Sequence, residues 1–417
     1  MSEAAMPALQ ASLEAQARAF AAPDPARQAA LARARALGLP GPRMEAFRTT
    51  PLRALAVRTF APPAASAPAL DPLALAAIPA PRLVWVNGVL DEGLSNLTAL
   101  PAGIRLDSAP APEEEPAAEA FEAWNAALAD GGARLVVEPG ARIDTPLQLV
   151  FASTEDGGER AFHLRHRLVL GEHARLALAT HFVGIGAHRH LATHGLALDL
   201  AEDAQLDHAQ VQREDAGASL LLYTRARLGA RACYRRVDLE LGAGLCRHVL
   251  QVRLEGEGAR LEANGVLRGE GRRHVETRLD IQHRARDTAC ELLWRGLGEG
   301  RSRVVFHGGI HIAAGADGTR AALSSKNLLL SGQAEIDTQP VLVIHADDVQ
   351  AAHGATVGRL DEQALFYLRA RGLREDAARA LLTAAFLREP LAVLEDEALR
   401  GLLERSLDGA LGLEDAA

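Results

Sequence analysis

From about residue 133 to 350 the chain alternates apolar and polar positions in short runs, each closed by Gly, Asp or Glu. Leu168-Val169-Leu170, Leu196-Ala197-Leu198, Val237-Asp238-Leu239-Glu240-Leu241 and Val341-Leu342-Val343-Ile344 are examples. A period of two predicts β-strands, and no helical stretch of crossover length separates them, which argues against βαβ units. The flanks read differently. In residues 1–60, Leu9, Leu13, Ala17 and Phe20 fall at helical spacing, and Pro40-Gly41-Pro42 breaks the pattern. Ala61 to Ala69 is an Ala/Pro-rich linker, and Leu83-Val84-Trp85-Val86-Asn87-Gly88 reads as a strand and a turn. Residues 112–130 predict a helix whose acidic start, Glu113 to Glu115, suits the positive end of a helix dipole.

After Gly358 the period returns to helical. Asp361 is placed to cap a helix ending near Gly372. A second helix, Arg374 to Glu389, carries Ala377, Leu381, Leu382, Ala385 and Phe386 on one face and stops at Pro390. A third, about Glu395 to Leu407, carries Ala398, Leu399, Leu402 and Leu403. The expected division is an N-terminal helical domain with linker over 1–110, a mainly β core over 111–357 and a C-terminal helical domain over 358–417.

A weak repeat runs through the β region. Ala-x-apolar recurs at Ala141-Arg-Ile143, Ala174-Arg-Leu176, Ala204-Gln-Leu206, Ala232-Cys-Tyr234 and Ala259-Arg-Leu261, in steps of 33, 30, 28 and 27 residues. Ala334-Glu-Ile-Asp-Thr338 echoes Ala141-Arg-Ile-Asp-Thr145. A period of this size made of strands alone points to a β-solenoid whose coils stack. A β-sandwich with chance alanines is the competing expectation.

Composition narrows the function. Of 417 residues, 48% are apolar but only 4% aromatic, so the core must be Leu, Val, Ile and Ala. The net charge is −9 and no long basic patch is present, which excludes nucleic acid as an expected partner. The first ten residues lack a basic stretch followed by an apolar run, so no secretory signal is expected, nor any membrane span. Cys233, Cys246 and Cys290 are few and widely spaced, which fits a reducing cytoplasm and offers no ordinary four-thiolate cluster site. They read as inert core or surface residues. Of the 45 basic residues only Lys326 is lysine, and Asn327 follows it, so there is no P-loop. ATP-driven work would have to come from a partner.

The candidate chemistry is otherwise sparse. His188, His190 and His194 have ligand-like spacing but read as a solvated loop between strands, with no matching carboxylate evident. His307 and His311 read as structural. Asp347-Asp348 are adjacent, so their side chains diverge on a strand and suit a turn better than acid–base work. His353, at the strand-to-helix boundary beside Gly354 and small residues, is expected to be accessible.

The residues around His353 carry a family resemblance. Lys326-Asn-Leu-Leu-Leu-Ser331, Ala334-Glu-Ile-Asp-Thr338, Pro340, Ala346-Asp-Asp-Val349 and His353-Gly-Ala-Thr-Val-Gly358 run into Asp361-Glu362, Leu365-Phe-Tyr-Leu-Arg369 and Arg371-Gly372. Together they resemble the signature of the SufB/SufD family. Glu45-Ala-Phe-Arg-Thr49 with Leu52 is similar to the family's N-terminal element, with Phe47 in the place of a Trp; Asn125-Ala-Ala-Leu128, Leu254-Glu-Gly-Glu-Gly258 and Ile281-Gln-His283 also match. The resemblance implies a right-handed parallel β-helix between helical ends, acting as a non-catalytic scaffold of the SufBCD complex in iron–sulfur cluster assembly. It implies pairing with SufB through the β-helix, or a homodimer of the chain alone. It also implies binding of the ATPase SufC through the C-terminal helices, for which Phe366, Tyr367, Leu381 and Phe386 are the expected contacts. The family's interface histidine maps onto His353, which would hold iron or a nascent cluster transiently at the SufB interface, with no cofactor bound stably by this chain alone.

Some family members carry cysteine where this chain has Ala351. That absence, and His-Gly-Ala-Thr where SufB-type chains tend to show His-Glu-Ala-Thr, favour the SufD type over a SufB-type active scaffold. A β-solenoid carbohydrate-acting enzyme is the reading from another class; it would need acids converging on a groove.

Overall fold

The computed structural model describes residues 6–20, 25–41, 44–96, 100–107 and 116–413. The acidic run Glu113 to Glu115 and Pro42 lie outside them. The N-terminal part holds helices α1 (Pro7–Ala19), α2 (Pro25–Leu37) and the short α3 (Arg53–Ala56), then strands β1 (Arg82–Val86), β2 (Val89–Leu90) and β3 (Ile104–Asp107), and helix α4 (Ala120–Leu128). Sixteen strands follow without a helix. They are β4 (Gly131–Val137), β5 (Arg142–Thr154), β6 (Ala161–Leu170), β7 (Arg175–Ile185), β8 (Leu191–Leu200), β9 (Gln205–Arg213), β10 (Ser219–Leu228) and β11 (Cys233–Glu240). The second half is β12 (Leu245–Leu254), β13 (Arg260–Gly269), β14 (His274–His283), β15 (Ala289–Gly298), β16 (Arg303–Ile312), β17 (Thr319–Leu329), β18 (Glu335–Ile344) and β19 (Val349–Gly358). Helices α5 (Glu362–Ala370), α6 (Glu375–Arg388) and α7 (Glu397–Leu411) close the chain.

From β4 onward, alternate strands pair in parallel into two sheets. Sheet I runs β2-β1-β5-β7 and on through the odd strands to β19; sheet II runs β3-β4-β6 and on through the even strands to β18. This is a parallel β-solenoid of about eight coils, as the repeat implied, and not a sandwich of antiparallel sheets.

The repeat now has a physical cause. Ala174, Ala204, Ala232 and Ala259 each precede a sheet I strand and are fully buried, stacked at one corner of successive coils, where only a small side chain fits. In the next two coils Thr288 and then Thr319 occupy that corner, their hydroxyls 3.1 Å apart. One residue before each of these corner positions, and before Ala141 ahead of β5, the backbone is left-handed, at Gly140, His173, Asp203, Arg231, Gly258, Asp287 and Gly318. The N–H of each donates to the next coil, as His173 does to Glu202 and Arg231 to Glu257. At Gly318 glycine is favoured on two counts, since φ is +75° and a Cβ would lie 2.1 Å from Asp287 Oδ1, which would have to move aside. The echo between Ala334 and Ala141 does not belong to this pattern. Ala334 leads into β18 of sheet II and Ala141 into β5 of sheet I, so the two segments occupy different corners.

Helices cover the outer faces. Leu9 and Leu13 of α1, Ala30 and Ala34 of α2 and Phe121 and Trp124 of α4 form one core with Leu221, Tyr223 and Leu245 on the outside of sheet II. Asn125 is buried, its amide donating to Leu164 O at 3.2 Å and to the carbonyl and hydroxyl of Thr193 at 3.0 and 2.9 Å. Leu399, Leu403 and Leu407 of α7 pack with Val211, Val237 and Leu239 on the outside of sheet I. The C-terminal helices therefore lie along the side of the solenoid, and β18 and β19 keep largely exposed or half-exposed side chains. Local signals place the helix ends well. Asp361 caps α5, accepting from Gln363 N and Ala364 N, and Asp396 caps α7 through Leu399 N.

Candidate functional site

The last coil has no successor. Among the described residues, β19 pairs only with β17 and β18 only with β16, so each leaves one edge of backbone groups unpaired. β19 spans ten residues and contains no Lys, Arg, Asp or Glu, no proline and no register shift, the features that ordinarily protect an edge. Pro340 does interrupt the donors of β18. Ile344 and Val357 are exposed on this coil, at 41% and 43%.

His353 lies in β19 opposite Leu323 and is exposed. Val349 and Ala351 pack against the solenoid interior, and alternation places His353 in that same inner row. Its column runs inward through Leu323, Leu292, Ala263 and Arg236 to His208. The imidazole thus crowns the interior at the open end. Nothing crowds Gly354 beside it. Ala351 crowns the neighbouring column, above Ala321 and Cys290.

The expected contacts on the C-terminal helices separate into two groups. Phe366, Tyr367 and Leu381 are exposed at 73%, 56% and 45%. Arg371 lies over the Tyr367 ring at 4.9 Å. Phe386 is half-buried against the sheet I face, with the Arg295 guanidinium 5.4 Å from its ring centre. Arg295 also pairs with Glu389, and Asn264 donates to Pro390 O at 2.9 Å, so this segment is bolted to β13 and β15.

The other histidines fall elsewhere. His188, His190 and His194 are buried, at 6%, 1% and 5% exposure, not solvated. A carboxylate does meet them: His188 Nε2 is 2.9 Å from Glu214 Oε2, and Ser153 donates to the other Glu214 oxygen at 2.7 Å. Glu214 comes from the end of a distant strand, which is why local spacing did not show it. His311 Nε2 lies 3.7 Å from Asp280, on the solvent side of sheet II. Asp347 and Asp348 form the exposed bend between β18 and β19 and build no converging acid pair. Cys246 and Cys290 are buried; burial raises both thiols, Cys290 to about 12. Among the described residues, no group of three or more His, Cys, Asp or Glu is arranged to hold a metal.

A polar network inside the solenoid had no forecast. Arg236 pairs with Asp238 at 2.7 Å and donates to Tyr234 OH and Gln210 Oε1, both at 2.9 Å. His248 lies 3.4 Å from Glu240, and the Cys246 thiol donates to Glu240 at 3.2 Å. All are buried between the sheets. The signal was present in Tyr234, Arg236, Asp238 and Glu240, polar residues two apart on one strand face. Outside, Arg247 pairs with Glu119 at 2.6 Å beneath the Phe47 ring, and Thr50 donates to Glu276 at 2.7 Å. That is the role of the N-terminal Glu45 to Leu52 element: it locks the helical layer onto sheet II.

These features define a class first: a helix-flanked parallel β-solenoid, closed along its sides and open at its last coil. Residues 151–386 match the model of the SUF system FeS cluster assembly SufBD core domain. SufD, the iron–sulfur cluster assembly protein of Escherichia coli K12, is 31% identical over 370 residues, covering 87% of each chain. An iron–sulfur cluster assembly SufBD family protein of Synechocystis is 29% identical over 78% of this chain and 76% of its own length. A SufBD family protein of Mycobacterium leprae is 28% identical over 67% of this chain but only 32% of its own. The chain belongs to the SufB/SufD family of iron–sulfur cluster assembly proteins, and its likeness to SufD runs nearly end to end.

Proposed function

We propose that this chain is the non-catalytic SufD-type scaffold of a SufBCD complex, pairing with SufB through its last coil and holding SufC on its C-terminal helices. The observation that carries the reading is the unpaired coil β18–β19 with His353 on its inner row. A SufB-type chain can extend both sheets by main-chain pairing there, and Ile344 and Val357 give the contact an apolar part. Iron or the nascent cluster is cargo. His353 supplies one ligand, with the remaining ligands coming from SufB, because no ligand set surrounds it among the described residues. A neutral imidazole binds iron through one nitrogen while the other is steadied by a neighbouring acceptor.

The α5–α6 pair supplies the SufC surface through Phe366, Tyr367 and Leu381, which α7 and the sheets leave bare. Phe386 acts beneath that surface, seating α6 on sheet I. Closure of two SufC copies on ATP would pull through these helices on the sides of the solenoid and so act on the open coil.

The test is co-expression with SufB- and SufC-type chains, purification without oxygen, and iron and sulfide analysis. His353→Ala is expected to leave the complex assembled and to lower its iron and sulfide at least tenfold. A variant complex that matures a client protein at the wild-type rate would overturn the assignment.

A further inference from the structure

The early coils enclose a cavity of about 20 Å³ between the two sheets. His166 and His194 of sheet II line it together with Phe151, Phe182 and Thr180 of sheet I and Thr224. The aromatic rings grip the imidazoles closely: Phe151 lies 4.6 Å and Phe182 4.9 Å from His194, centre to centre. Both histidines are more than nine-tenths buried. Neither ring nitrogen of His166 has a hydrogen-bond partner, and neither has Nδ1 of His194.

Such a lining is incomplete by itself. A neutral imidazole carries one N–H donor and one bare acceptor nitrogen. Burial holds both rings neutral, His166 at about 3 and His194 well below its ordinary value, with the neighbouring histidines adding to the effect on His194. Each buried polar group left unmatched costs about 1–3 kcal/mol. On the sheet I wall Thr180 Oγ1 is 2.9 Å from His208 Nε2, and on the sheet II wall Thr224 Oγ1 is 3.0 Å from His248 Nε2. A hydroxyl has one donor and two acceptor sites, so each threonine keeps capacity for a further bond.

The chemistry of the lining selects its occupant. No carboxylate borders the cavity, so a cation would be uncompensated. An apolar atom would leave the imidazole nitrogens unmatched. The occupant must donate and accept at once, and a void needs only about 10–15 Å³ of this kind to admit a water. We infer that the cavity is a binding site for a single internal water, which bridges His166 and His194 and reaches at least one of the two threonine hydroxyls. One water meets only one nitrogen of His166. A link through Thr180 joins it to His208 and a link through Thr224 joins it to His248; either one makes the orphan histidine pair part of the polar network centred on Arg236.

A crystal structure of the full chain, at a resolution that shows ordered solvent, tests the site without any substitution. The expected result is one solvent peak inside the cavity, about 2.7–3.2 Å from a nitrogen of His166 and of His194. A dry cavity, or imidazoles turned to bond protein atoms directly, would overturn the inference. His194→Leu sharpens the test by removing one arm of the bridge. The peak is then expected to weaken or vanish. A peak that stays at full occupancy in that variant shows a water held by other groups and overturns the bridging role.

Discussion

The two ends of the solenoid are made from similar strands and finish in opposite ways. At the first end, β1 turns through Asn87-Gly88, both left-handed, into the antiparallel β2, and β3 runs antiparallel to β4. Leu75, Ile78 and Leu94 then cover Val84 and Val150. Short antiparallel strands cannot template another parallel coil, so stacking stops there. At the last end the strands are long, regular and uncovered, and the helices that follow turn aside onto sheet I. Edge strands of this kind associate unless something prevents it. A chain that blocks one edge and leaves the other bare has restricted its growth to one direction, which is what the proposed pairing with SufB requires.

The sharpest way to break this comparison is to wound the sealed interior. Arg236→Ala leaves Asp238 buried without its cation, and a loss of about 3–5 kcal/mol in urea unfolding is expected. A loss below about 1 kcal/mol would mean that the early coils are not held by their network. Next in size is the lateral seal. Leu403→Ala removes a fully buried side chain between α7 and sheet I and is expected to cost about 2–5 kcal/mol. For the same reason deleting everything after Gly358 is a poor test of SufC docking, since it bares Val211, Val237 and Leu239 and is expected to cause aggregation.

The third prediction concerns acid. His163, His166 and His181 titrate at about 3 and His283 at about 4 in the folded chain, because burial disfavours their charged form. An unfolded histidine titrates near 6.5, so between these limits the unfolded chain binds more protons. Their contribution to stability is complete above 6.5 and declines as pH falls toward 3–4. The slope is on the order of 1.4 kcal/mol per pH unit for each such histidine. Urea midpoints that do not change between pH 6.5 and 4.5 would contradict it.

The smallest stability effects belong to the open regions. His353→Ala and the pair Phe366→Asp with Tyr367→Asp are expected to shift stability by no more than about 0.5 kcal/mol, since these side chains are exposed. Their effects should appear only in complexes. The helix pair is expected to lose SufC while SufB still co-purifies, and His353→Ala is expected to lose iron and sulfide while both partners remain. A large stability loss in either variant would erase the distinction between sealed and open parts.

Much of the fold was legible because its signals are local. Asp361 and Pro390 bound their helices as expected, with α6 running Glu375–Arg388 against a forecast of Arg374 to Glu389. The Ala-x-apolar spacing reported a real corner. The exposure of His353 was readable from the small residues around it, but the residue lies in the middle of β19 and not at the strand-to-helix boundary, because the strand continues to Gly358. What escaped depends on partners far away in the sequence. Glu214 converts the His188 region from a loop into a buried hydrogen-bonded corner, across 26 residues. Phe386 and Leu381 are expected together on one helix face, but five residues put them about 140° apart around α6, and the sheet I surface covers the first while the second stays bare.

Strand β11 marks the boundary between the two kinds of knowledge. Its alternation, Arg236-Val237-Asp238-Leu239-Glu240, determined that it is a strand with an apolar and a polar face. Ordinary reasoning would turn Val237 and Leu239 to the core. The structure does the reverse. Val237 and Leu239 face outward beneath Leu399 and Leu403 of α7, while Arg236, Asp238 and Glu240 face each other's partners inside. Period two states that two faces differ, and says nothing of which is buried by what. That choice needed a helix from 160 residues downstream to cover one face and His248 with Gln210 to satisfy the other. Sequence alone determined the coils, their period and the residues at the last edge. The packing of distant segments decided which faces are sealed, and so which strand edges stay unpaired among the described residues.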